Sequence, residues 1–344
     1  MEPVEPSVTR SELELTEALT LLELGPSHPA THGTVRIVLE LSGETVRRAD
    51  VVIGYLHRGF EKMCERGSWS QVFPYADRLN YVSPMLNNVG FALACEKLLG
   101  VRVPERAEWY RMALGELSRI TDHLTCCAAM TMDLGAYTPY LWLLRAREMI
   151  YDIMEEETGA RLTYSFARVG GMAEPPTAHF AENVRAVVPG VRRAVDEVKR
   201  LLENNRIFLD RLQGVGIVPA AVAISLGWTG PCLRASGVPY DVRKASPYLR
   251  YDEVEFEVPV GTVGDCFDRF FLRLAELEQS VRIVLQSTER LPSAGPMQID
   301  DPRVVFPPKP EVWNTIEGTI RHFKLVMEGL KLPAGEVYSY TEAG

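Results

Sequence analysis

At Gly59 the chain changes period, and that change constrains its fold more than any other feature. Before it, Thr34 to Leu41 (Thr-Val-Arg-Ile-Val-Leu-Glu-Leu) is β-branched and strand-like, Ser42-Gly43 makes a turn, and Glu44 to Ile53 returns as a second strand. After it, apolar residues recur at spacings of three and four. Ala113, Leu117, Ile120, Leu124 and Cys127 form one stripe, bordered by His123, on a helix that can begin just after Pro104. Further helices are expected over Thr138 to Glu157 and along Phe267, Phe270, Leu274, Leu277, Val281 and Val284. The region Pro176 to Gln213 is expected to split into two helices at Pro189-Gly190, because proline has no N–H for the helix ladder. The fold class read from this pattern is α+β, an N-terminal antiparallel hairpin or sheet followed by a mainly helical bundle. The expected divisions are an acidic extension over 1–17, a β region over 18–58 and a helical domain over 59–344.

Just before the first strand, Gly25-Pro26-Ser27-His28-Pro29-Ala30-Thr31-His32-Gly33 holds two histidines between glycines and prolines that fix unusual backbone angles. Such a loop presents its imidazoles, either as a site or as a turn with two solvated rings. Later, Leu233 to Lys244 mixes Gly, Pro and charges and is followed by Tyr248, Tyr251 and Asp252; it reads as a solvated loop or a functional one.

Composition excludes several classes. A chain of 344 residues that is 46% hydrophobic and 24% charged can bury a sizeable core, and a net charge of -9 argues against a nucleic-acid surface. No basic n-region or apolar h-region opens the chain, so the expectation is a protein that stays in the cytoplasm. Leu124 to Leu144 and Leu212 to Leu233 are apolar but carry too many breakers for membrane spans, and both are expected to be buried interior. In the first of them Asp133 is either a helix cap or a paired carboxylate. The six cysteines make no C-x-x-C pair, and there is neither a G-x-x-x-x-G-K loop nor G-x-G-x-x-G, so the chain is expected to bind no nucleotide and no metal or cluster of its own.

An ordered series of motifs then carries a resemblance. It runs from the Gly25 to Gly33 loop through Ile53-Gly54-Tyr55-Leu56-His57-Arg58-Gly59-Phe60-Glu61-Lys62, Asp77-Arg78-Leu79-Asn80-Tyr81 and Glu96-Lys97-Leu98-Leu99-Gly100. It continues through Asp133-Leu134-Gly135-Ala136-Tyr137-Thr138-Pro139, Leu233 to Lys244 and Gly335-Glu336-Val337-Tyr338. From about Ala18 to Ala343 the chain resembles the D (quinone-module) subunit of NADH:quinone oxidoreductase, respiratory complex I, a family related to nickel-iron hydrogenase large subunits. The resemblance implies a hydrogenase large-subunit-like fold whose old metal cavity takes a quinone. The quinone is reduced to quinol, coupled to proton translocation, by electrons from a [4Fe-4S] cluster in a small partner subunit. It also implies other peripheral-arm and membrane-arm subunits as partners, no nucleic acid, and a peripheral place on the cytoplasmic side of the plasma (inner) membrane.

By motif match, His32 and Tyr81 resemble the quinone headgroup ligands, and Asp133 resembles the carboxylate that hydrogen-bonds the histidine. Both ligand types can release protons to the carbonyl oxygens. Arg78 resembles the arginine near the cluster. Thr163 stands where many members carry histidine in an Arg-x-His segment before the R-x-G-G motif, here Arg168-Val169-Gly170-Gly171. Family members continue for several tens of residues beyond Gly344, so a C-terminal segment is expected to be absent. That absence and Thr163 leave a non-catalytic assembly or scaffold paralogue as one alternative to a catalytic subunit, and because relatives take electrons from ferredoxin or a deazaflavin, the equivalent subunit of such a complex is another. Near the end, Ile316, Ile320, Phe323, Met327 and Leu330 are expected to form the inner face of a helix over Glu311 to Lys331, followed by a strand at Glu336 to Tyr340 with an open edge.

Overall fold

The computed structural model describes residues 19–344. The acidic extension expected over 1–17 lies outside them. The fold is α+β and divides into two compact units, the first ending at Lys62 and the second spanning Met63–Gly344.

The first unit is a three-stranded antiparallel sheet in the order β1 (Leu19–Leu24), β2 (Arg36–Ser42), β3 (Thr45–Val52). The expected hairpin is β2–β3, with Ser42 opposite Thr45 across the turn and a register shift between Glu40 and Leu41. Strand β1 is an addition to that hairpin; it pairs with β2 from Leu19 opposite Ser42 to Leu24 opposite Ile37. Its Leu-Thr-Leu-Leu-Glu-Leu sequence has the alternation of a strand only in part. The strand directions put the loop after β1 and the segment after β3 at the same end of the sheet.

The second unit is helical. After α1 (Phe60–Cys64), which straddles the division, come α2 (Phe73–Asp77), α3 (Pro84–Leu99), α4 (Glu105–Asp133) and α5 (Tyr137–Thr158). A two-stranded hairpin of β4 (Ala167–Arg168) and β5 (Gly171–Met172) leads to α6 (Phe180–Leu202) and α7 (Arg206–Leu212). The short helices α8 (Ala220–Ser225), α9 (Gly230–Ala235) and α10 (Val242–Ala245) precede the long α11 (Cys266–Arg290), and α12 (Lys309–Asn314) and α13 (Ile316–Met327) follow it. Helix α4 is central, packing against α3, α5 and α11. It is buried on nearly every side from Ala107 to Leu124, which is why its stripe is joined by the buried polar residues Arg111, Glu116, Arg119 and His123. No helix among the described residues is long and apolar enough to cross a membrane.

Six expectations are corrected. Helix α6 runs unbroken through Pro189, and the break comes instead before Asn205, whose side chain caps α7 by accepting from the Phe208 N–H at 3.1 Å. Pro189 and Arg185, the residue whose carbonyl it deprives of a partner, both face solvent, while Val184, Val188, Val191, Val195 and Val198 keep a continuous buried stripe on the other side. Water can serve that carbonyl, so the proline costs little there.

Leu212 to Leu233 is largely surface: Val215, Ile217, Val222, Ile224 and Leu226 are all exposed. Likewise Leu124 to Leu144 is buried only in part, since α4 emerges at its last residue, Asp133, which is exposed.

The helix expected over 311–331 is two helices, because Thr315 adopts extended backbone and caps α13 by accepting from the Gly318 N–H at 3.0 Å. A Cβ on Gly318 would lie 2.4 Å from the Glu311 carbonyl oxygen, so only glycine allows the two helices to meet so closely. Ile316, Ile320, Phe323 and Met327 point outward, only Leu330 of the stripe is buried, and residues 336–340 are irregular rather than a strand.

One buried ion pair ties α3 and α4 to the β4–β5 hairpin. The Arg111 guanidinium donates to both Glu96 oxygens at 2.9 and 2.6 Å and to the Gly171 carbonyl at 2.9 Å, while the Gly170 N–H donates to Glu96 at 2.7 Å. Replacing Glu96 with Gln leaves a buried guanidinium without its charge partner. The expected cost is ~3–5 kcal/mol in urea unfolding, against less than ~0.5 kcal/mol for Ile320→Ser on the exposed face of α13.

Candidate functional site

His32 belongs to the first unit. It ends a single 3-10 turn, Pro29–Thr31, in the left-handed region at φ 46°. The turn is held from within: the His28 Nδ1 accepts from the Ala30 N–H at 3.2 Å, and the Thr31 hydroxyl donates to the carbonyls of His28 and Gly33 at 2.8 and 2.9 Å. Gly25 closes the loop, since a Cβ there would strike the Val35 carbonyl oxygen at 1.8 Å. Gly33 lies against Leu56, with 3.8 Å between its Cβ position and the leucine Cδ1, so the two motif loops of the first unit meet at one end of the sheet. His32 is exposed there.

The other four candidates lie in the second unit. Tyr81 is 56% exposed, but the turn that carries it is clamped. The Asn80 amide donates to Asp122 Oδ2 at 2.5 Å and to Ser83 Oγ at 2.8 Å, and the Ser83 hydroxyl donates to the same Asp122 oxygen at 2.8 Å. The Asn80 carbonyl accepts from Asn87 at 3.2 Å. A phenol is thus presented to solvent on a backbone fixed to α4. Asp133 ends the same helix eleven residues beyond Asp122, which is about 16 Å along its axis.

Arg78 and the segment that carries Thr163, through Ser165, meet at Asp77, a residue that the motif match does not single out. Asp77 is fully buried and accepts from Asn88 and Ser165, and the Arg78 Nη1 stands 3.9 Å from its Oδ2. Burial pushes the Asp77 carboxyl above its ordinary value, partly offset by those hydrogen bonds and by the Arg78 charge. Thr163 and Ser165 both have positive φ, 57° and 43°, so the segment bends sharply to bring Ser165 to Asp77. Arg78 also donates to the Pro74 carbonyl at 2.8 Å and remains half-exposed. Asp77 sits within the Asp77-Arg78-Leu79-Asn80-Tyr81 motif, but its neighbours Asn88 and Ser165 are remote in sequence.

A cleft of ≈ 750 Å³ opens beside the Tyr81 clamp, lined by Asp122, His123, Cys126, Cys232, Arg273 and the segment 338–344 among others. A buried ion lattice lies next to it and reaches the cleft at His123 and Glu342. Glu116 accepts from Arg119 at 3.2 Å, Arg243 at 3.1 Å and the Tyr251 hydroxyl at 2.6 Å. Arg243 also donates to Asp241 at 2.7 Å. Arg234 joins Glu276 at 2.5 Å to Glu342 at 2.8 Å, and the His123 Nε2 stands 3.4 Å from the other Glu276 oxygen. Leu233 to Lys244 is therefore no solvated loop, since Arg234, Asp241 and Arg243 are each almost wholly buried. Among the described residues, no group of three or more His, Cys, Asp or Glu side chains could hold a metal ion.

Burial alone would raise Glu116, but Arg119 and Arg243, with the Tyr251 hydroxyl, hold it at about 2. Glu276 is likewise raised by burial and brought down to about 2 by His123 and Arg234. Both folded values lie below the ordinary carboxylate value of 4.5, so the stability they contribute is complete above that pH and is lost as pH falls toward 2. Chemical unfolding followed from pH 5 to pH 2 should show stability declining across that window, with a shallower decline in Glu116→Gln.

Residues 133–344 match the family model described as "Respiratory-chain NADH dehydrogenase, 49 Kd subunit". Over all 344 residues the chain is 64% identical to an NADH-quinone oxidoreductase D subunit (D 1) of Sorangium cellulosum, covering 85% of that protein. It is 53% identical to a D subunit (D 2) of Anaeromyxobacter sp. over 96% of this chain and 76% of that one. It is also 51% identical to the D subunit of Myxococcus xanthus over 94% and 78%. With the motif series in place on this frame and matches of this extent, the chain belongs to the family of the respiratory-chain NADH dehydrogenase 49 kDa subunit.

Proposed function

We propose that the chain is the quinone-handling subunit of an NADH-quinone oxidoreductase. The reading rests on the D-subunit relatives and on one observation above all: a half-exposed phenol, Tyr81, on a turn that Asp122 holds rigid. Reducing a quinone to a quinol takes two electrons and two protons, so its carbonyl oxygens need donors that are held in place and can be refilled with protons. Tyr81 is suited to donate its phenolic proton to one oxygen. His32, exposed on its internally braced turn, is suited to donate to the other. By motif match, Asp133 resembles the carboxylate that hydrogen-bonds such a histidine and sets its tautomer.

Electrons would arrive from a [4Fe-4S] cluster in a small partner subunit, on the side of Arg78 and Thr163. There the half-exposed Arg78 guanidinium, anchored at Pro74 and Asp77, supplies fixed positive charge that favours the reduced donor's extra electron. Thr163 supplies no titrating group. The remaining peripheral-arm and membrane-arm subunits complete the assembly, which couples the reduction to proton translocation, with this chain peripheral on the cytoplasmic side of the membrane.

The direct test is Tyr81→Phe in the assembled enzyme. Loss of one positioned proton donor lowers quinone turnover by about 10²-fold or more. NADH oxidation by a water-soluble artificial electron acceptor, which bypasses the headgroup site, stays at the parent rate. Quinone turnover unchanged by Tyr81→Phe would refute the assignment.

A further inference from the structure

Among the described residues, the side-chain carboxylates that line the cleft beside Tyr81 are bound by donors. Asp122 accepts from Asn80 and Ser83, His123 faces Glu276, and Glu342 is bound by Arg234. Arg273, on α11, has no such partner. Its Nη1 donates to the Arg269 carbonyl at 2.7 Å and its Nη2 to the soft Cys232 Sγ at 3.6 Å, and among the described residues no carboxylate stands within salt-bridge distance of it. A half-buried guanidinium with two neutral acceptors is under-compensated, and such a group draws an anion to itself.

We propose that Arg273 is a carboxylate-binding subsite of this cleft. The surroundings select the class of anion. Asp122 and Glu342 line the same cleft and repel a dianion such as phosphate, and no second cation lines it to compensate one. A single guanidinium matches a single carboxylate, which it can grip through two N–H groups at once. The thiols of Cys126 and Cys232 beside it are weakly polar walls. The carboxylate belongs either to a small acid that enters the cleft or to an acidic side chain of a polypeptide that covers it. This inference does not depend on the quinone reading, because it concerns a different side chain and a different ligand chemistry.

Arginine-selective labelling with phenylglyoxal, read residue by residue by mass spectrometry, tests it. In the free chain in chloride, Arg273 should be labelled. Acetate at matched ionic strength should slow that labelling several-fold while leaving the exposed Arg206 unaffected. That result establishes a site open to small carboxylates. If acetate does not protect the free chain, the polypeptide source requires two things of the assembled enzyme. Arg273 must be protected there without acetate, and Arg273→Met, but not Arg273→Lys, must lower the assembled fraction. Labelling of Arg273 that neither acetate nor assembly slows, or slowing by acetate that is equal at Arg206, overturns the proposal.

Discussion

The buried pairing of Arg243 with Glu116 and Asp241 is the interaction on which the second unit's architecture depends. Taking charges out of water is expensive, and they can stay charged only if every one finds its partner in the right place. Glu116 stands on α4, Arg243 on α10, Tyr251 just beyond it, and Arg119 one turn along α4. The second half of the lattice repeats the device: Arg234 on α9 joins Glu276 on α11 to Glu342 near the end of the chain. Helices α4, α9, α10 and α11 and the segment of Glu342 are thus placed by charge as well as by apolar contact. The hydrophobic core around α4 would tolerate small slides of a helix; bidentate and multiply bonded ions would not.

That placement is what makes the proposed chemistry possible. The wall of the cleft that the lattice supports contains Asp122, and Asp122 holds the Tyr81 turn. A proton donor is useful only if its direction is set before substrate arrives. Here the direction of the Tyr81 turn is inherited, through one carboxylate, from α4, the central buried helix of the unit. Asp77 does the same for Arg78 and the Thr163 segment, joining two pieces of chain that the sequence separates widely.

The sequence makes much of this frame legible, because periodicity is a local property. The β2–β3 hairpin, α4 after Pro104, α5 and α11 all follow from spacing and turn residues. What periodicity does not report is what covers a stripe. The apolar residues of Leu212 to Leu233 and of α13 have the composition of interior yet face outward. Pro189 suggests a break only because the rule about proline ignores which side of a helix it occupies. The charges of Leu233 to Lys244 look solvated because their partners, Glu116, Glu276 and Glu342, lie far away in sequence. Motif order singles out Tyr81, Arg78 and Thr163 as candidates, but the anchoring carboxylates Asp77 and Asp122 emerge only in three dimensions. The Asp133 motif marks the exposed end of α4, while His32 stands in the other unit.

A double-mutant cycle at the centre of the lattice tests the account most directly, with Glu116→Gln and Arg243→Met measured singly and together by equilibrium unfolding. If the lattice is a cooperative unit, each single change costs ~3–5 kcal/mol because it strands its partner's charge. The double variant then costs no more than the worse single. Two costs that add to within ~0.5 kcal/mol would show that the charges act independently, and would contradict the claim that they fix the walls of the site.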